Sequence, residues 1–103
     1  MPNHVHLILF PNEARKLGKI MQGVNQAYAI WFNKKYIKVG HLWQGRYKSM
    51  VVQNHKYLLE CLEYIESNPI RAGICNSPFE YPWSSWQVRF GHRKDGLLDS
   101  PEL

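Results

Sequence analysis

Cysteine is scarce in this sequence. Cys61 and Cys75 are the only two among 103 residues. They form no CxxC pair and no disulfide framework, so two reduced, partly buried thiols are expected. Long apolar runs are missing too: none approaches the ~20 residues a membrane helix needs. The opening Met1-Pro2-Asn3-His4 has no basic segment leading into an apolar one, so no signal peptide is expected and the cytoplasm is the expected compartment. There is no internal repeat, low-complexity tract or linker, which leaves one domain as the expectation for this length. Acidic residues are outnumbered, 8 against 13 Lys and Arg, for a formal net charge of +5. Such a surface attracts polyanions, of which nucleic acid is the commonest.

The apolar content, 45%, suffices for a small core. The 14% of aromatic residues can fill that core or stack on bases. Val5-His6-Leu7-Ile8-Leu9-Phe10 reads as a buried strand ended by Pro11 and Asn12. It begins almost at residue 1, and the expectation is that an N-terminal portion is missing. From about Glu13 to Tyr36 the apolar residues Leu17, Ile20, Met21, Val24, Ala27, Tyr28, Trp31 and Phe32 fall at the three-and-four spacing of a helix face, with Asn12 the expected N-cap. Gly40 to Arg46 reads as a loop and Tyr47 to Gln53 as a second strand. Asn54 is placed to cap a helix from His55 to about Ser67, ended by Pro69. A loop rich in Pro, Ser and aromatics follows, with Tyr81, Trp83 and Trp86 as core cover and a polar tail from Gly91. Strand, helix, strand, helix predicts an α+β domain over residues 1–90 and a flexible tail over 91–103.

Two features carry chemistry. In His4-Val5-His6 the two imidazoles share one strand face, about 7 Å apart at Cα, and neutral imidazoles at that spacing can chelate one divalent ion. On the second helix, Tyr57, Cys61, Tyr64 and Asn68 form one stripe, Leu58, Leu62 and Ile65 the neighbouring core seam, and Glu60, Glu63 and Glu66 the far side. Tyr64 thus lies at the edge of the buried face, where its hydroxyl can reach a cleft. The Asn68 amide could be a third metal ligand or could orient the tyrosine. Lys34, Lys35, Lys38, Arg46 and Lys48 cluster in sequence with His41 and Trp43 between them, a pattern suited to single-stranded DNA. Arg71 could contact DNA or cap helix carbonyls.

Four blocks, MPNHVHLIL (1–9), GHLWQGRY (40–47), YIESNPIRAG (64–73) and YPWSS (81–85), stand in the order seen in REP-associated tyrosine transposases. The chain resembles this single-tyrosine HUH family up to about residue 86. The resemblance implies a ferredoxin-like HUH nuclease fold, an antiparallel sheet with two main helices, truncated at its N-terminus because family members carry a further strand and helix there. It implies that His4 and His6 bind the metal, Mg²⁺ or Mn²⁺, with Asn68 at a polar metal-site position, and that Tyr64 is the nucleophile. It also implies a 5′-phosphotyrosine intermediate on hairpin-forming, single-stranded DNA. From the basic and aromatic pattern itself, the expected DNA contacts are Lys34, Lys35, His41, Trp43, Arg46, Lys48 and Arg71, in a monomer or homodimer away from membranes. Two rivals stand beside this reading. One is a DNA-binding remnant without catalysis; the other is a zinc domain using His4, His6 and a cysteine, for which the paired cysteine spacing is lacking.

Overall fold

The computed structural model describes residues 3–99. In chain order its elements are a 3-10 turn (Ala14–Lys16), helix α1 (Leu17–Lys35), helix α2 (His55–Arg71), a second 3-10 turn (Pro78–Glu80) and the short helix α3 (Trp86–Arg89). The chain divides into two compact units, Leu9–Met50 and Met1–Ile8 with Val51–Leu103. Residues 100–103, the end of the predicted tail, lie outside the described residues, as do Met1 and Pro2 of the HUH block.

The α+β expectation is overturned. Among the described residues there is no strand and hence no antiparallel sheet, so the ferredoxin-like arrangement is not formed. Both predicted strands, Val5–Phe10 and Tyr47–Gln53, are irregular backbone. β-Branched and aromatic content favours an extended chain, but a strand exists only when its N–H and C=O groups join a neighbour's ladder. Neither segment has that ladder, and the first stands open to solvent, with Val5 62% and Phe10 81% exposed.

The unit Leu9–Met50 is α1 with its flanking segments. The predicted cap at Asn12 is not made: the 3-10 turn starts after Glu13, whose carboxylate pairs with Arg15 at 2.7 Å and Lys16 at 3.7 Å. The apolar stripe is real in register, yet no residue of α1 is fully buried. Its C-terminal half carries an aromatic cluster in which Tyr28 lies 5.5 Å from Trp31, 6.1 Å from Phe32 and 5.8 Å from Trp43, ring centre to ring centre. The Trp43 indole N–H donates to the Asn25 carbonyl at 2.9 Å and ties the 40–46 loop to the helix. The helix closes with Ile37 at φ 52°, and the Lys38 N–H reaches back to the Asn33 carbonyl at 2.8 Å. This left-handed position normally suits glycine.

In the second unit, Asn54 caps α2 as its sequence context predicts: its side-chain oxygen accepts the Tyr57 N–H at 2.8 Å. Such a cap contributes about 1 kcal/mol. The helix ends later than predicted, running through Pro69 to Arg71. Proline removes one backbone donor, and the turn beyond it is closed by a Schellman motif. The Ile74 N–H donates to the Pro69 carbonyl and the Gly73 N–H to the Ile70 carbonyl, with Gly73 at φ 74°. Leu58 and Leu62 form the buried seam. Glu66, expected on the far side, is instead 3% exposed. It accepts a double hydrogen bond from Arg89 (2.8 to 3.1 Å) and one from the Ser85 hydroxyl at 2.6 Å, which anchors α3 on α2. Trp86 stacks on His92 at 5.3 Å and meets Phe90 at 5.0 Å. Trp83, expected as core cover, is 81% exposed.

Candidate active site

The opening segment and α2 belong to one unit, and there five of the predicted residues, His4, His6, Tyr64, Asn68 and Arg71, meet. Position 64 is one turn before Asn68 and two turns before Arg71, so all three project from one side of α2. Against that side lies the opening segment. The His4 and His6 rings are 4.9 Å apart, edge to face. The His6 ring is 6.3 Å from the Tyr64 ring, and His4 Nε2 is 3.3 Å from Asn68 Nδ2. Tyr64 is 57% exposed.

The hydrogen bonds fix how His4 is used. Its Nδ1 lies 2.7 Å from the Asn3 side-chain oxygen, which can only accept, so Nδ1 carries the proton. On the other side of the ring Nε2 faces the Asn68 amide nitrogen, which can only donate. The His6 imidazole titrates below its ordinary value because of burial first, then the neighbouring charges of His4 and Arg71 among others. Both effects keep His6 neutral, the form that donates a lone pair to a metal.

This donor set suits a divalent cation. Two imidazoles and an amide, whose oxygen can replace its nitrogen by a flip, are nitrogen and oxygen donors of the kind Mn²⁺ or partly hydrated Mg²⁺ takes. No three His, Cys, Asp or Glu side chains converge among the described residues, so a closed zinc site is not assembled there. Cys61 and Cys75 are free thiols.

Tyr57 is the internal competitor. It stands two turns from Tyr64, ~10 Å along the axis. Its phenol titrates above the ordinary value, chiefly through Cys61 one turn on, which disfavours the phenolate.

Arg71 folds back along α2. Its Nη2 donates to the Tyr64 carbonyl at 2.6 Å, its Nη1 donates to the Ser67 hydroxyl, and its Cζ lies 4.1 Å over the Tyr64 ring. Ser67 carries no motif of its own in the sequence beyond its i+3 spacing from Tyr64. The remaining predicted DNA contacts, Lys34, Lys35, His41, Trp43, Arg46 and Lys48, all lie in the other unit. Lys35 Nζ sits 4.9 Å over Trp31 and 5.4 Å over Tyr36. Trp43 is half-buried against α1, and residues 41–46 line an open depression.

Comparison with curated proteins and with solved structures gave no match. The sequence model described as "Transposase IS200 like" matches residues 1–68, about two thirds of the chain, and its span takes in His4, His6, Tyr64 and Asn68. On that match, the chain belongs to the IS200-like transposase family.

Proposed function

We propose that this chain is a single-tyrosine transposase of the REP-associated type, which cuts and rejoins single-stranded DNA beside a hairpin with Tyr64 as its nucleophile. The observation that carries the reading is the approach of the His4–His6 pair to Tyr64, with ring centres 6.3 Å apart at His6. The residues of the sequence motif are also neighbours in space.

His4, His6 and Asn68 would hold a divalent cation. Bound there, the cation would draw charge from the non-bridging oxygens of the scissile phosphate and offset the negative charge of the transition state. The Tyr64 oxygen attacks phosphorus and its proton passes to solvent. The bond from phosphorus to the 3′ oxygen breaks, and that oxygen takes up a proton. The products are a 5′-phosphotyrosine and a free 3′ hydroxyl. The reverse attack by a 3′ hydroxyl rejoins the strand, and no nucleotide cofactor is consumed. Lys34, Lys35, Arg46 and Lys48 supply phosphate contacts, and His41 and Trp43 offer rings for bases.

A hairpin oligonucleotide with single-stranded flanks and Mn²⁺ tests this. Label at the 3′ end is expected to become protein-linked on a denaturing gel. Label at the 5′ end is expected to appear on a shorter released strand, and a chelator is expected to stop both. Binding without any adduct would favour a DNA-binding remnant.

A further inference from the structure

We propose that Arg71 is a positioning residue that fixes the Tyr64 phenol for attack; the inference rests on the nucleophilic role just proposed for Tyr64. A tyrosine 57% exposed on a helix surface has side-chain freedom to lose before it can react. Among the described residues its ring meets His6 at 6.3 Å and the Arg71 guanidinium at 4.1 Å. The guanidinium is itself anchored. It donates to the carbonyl of Tyr64 and to the Ser67 hydroxyl, and that hydroxyl donates to the same carbonyl at 3.3 Å. The fork therefore grips the backbone of the residue whose ring it covers. Its charge also lies at a helix C-terminus, where a cation is favoured.

A guanidinium suits this task and an ammonium does not. Planar and forked, it can hold two acceptors on one edge while a face lies over an aromatic ring. Lysine would keep the positive charge for a phosphate but lose the two-point anchor. That difference separates positioning from simple DNA contact. With two of its donors directed at its own helix, Arg71 acts mainly through Tyr64.

The test uses the full chain as wild type, R71A, R71K and S67A, with folding checked by circular dichroism. The adduct rate at saturating hairpin DNA with Mn²⁺ and the DNA Kd are measured separately. In parallel, NMR without DNA or metal follows the nuclear Overhauser contact between the Tyr64 ring and the residue 71 side chain. R71A is expected to lower the saturated rate about tenfold, with Kd changed less than about twofold. R71K is expected not to restore the rate, S67A to give an intermediate loss, and the Tyr64 ring signals to move in both Arg71 variants. A weakened Kd with an unchanged saturated rate, restored by R71K, would overturn the proposal in favour of a phosphate contact. Unmoved Tyr64 signals in R71A would overturn it too. If wild type forms no adduct, the transposase reading fails, and the NMR arm alone still decides whether Arg71 holds the ring.

Discussion

Tyr64→Phe is expected to abolish the covalent protein–DNA adduct entirely, whereas Tyr57→Phe keeps it. The phenylalanine ring has no oxygen to attack phosphorus, Asn68 one turn on is an amide, and Ser67 and Arg71 are tied to each other. Because Tyr64 is largely exposed, the change should leave stability within about 0.5 kcal/mol. DNA affinity should also stay within about twofold, since the proposed phosphate and base contacts lie on other residues. The competing tyrosine is disfavoured both by distance and by Cys61, which raises its phenol. Denaturing gels of the two variants with 3′-labelled hairpin DNA read the result. Loss of the adduct in Tyr57→Phe with retention in Tyr64→Phe would reverse the assignment.

The largest effect on stability is expected at Glu66. Its carboxylate is buried and shared between the Arg89 guanidinium and the Ser85 hydroxyl. Arg89 in turn titrates above its ordinary value, with the Glu66 hydrogen bond the main cause. Glu66→Ala strands a mostly buried guanidinium without its partner and frees α3 from α2. Breaking a buried pair from one side costs about 3 kcal/mol or more, a large share of the roughly 5–15 kcal/mol that holds a domain of ordinary stability together. The double replacement Glu66→Met with Arg89→Met should recover much of the loss, because no charge is then left unpaired. Urea midpoints of the three proteins measure this. A single variant as stable as wild type would show that the ion pair does not hold the unit together.

That pair also marks the limit of what the sequence discloses. Glu66 reads with Glu60 and Glu63 as part of the far side of the helix, and only its partner makes its burial tolerable. Arg89 lies 23 residues away, in a segment with no periodicity to read. By contrast, Asn54, Leu58 and Leu62 were legible because a cap and a seam are local patterns. Pro69 reads as a stop because it lacks an N–H and restricts the residue before it, yet the helix continues to Arg71 and closes at Gly73. The strands failed for another reason. Val5–Phe10 and Tyr47–Gln53 have the composition of strands, but pairing belongs to two segments at once and composition describes one. At the site, the HxH pair and the tyrosine stripe could be read separately, and their resemblance to a family motif linked them. The bracket of Ser67 and Arg71 around Tyr64 could not be read, since it depends on a long side chain folding back two turns.

Crystals soaked with Mn²⁺ and measured at its absorption edge put the metal question most plainly. The expected result is one strong anomalous peak between the His4 and His6 imidazoles, on the side that faces Asn68 and Tyr64, lost in a His4→Ala/His6→Ala double variant. A peak elsewhere, or none at these imidazoles with the ion in excess, would contradict the account.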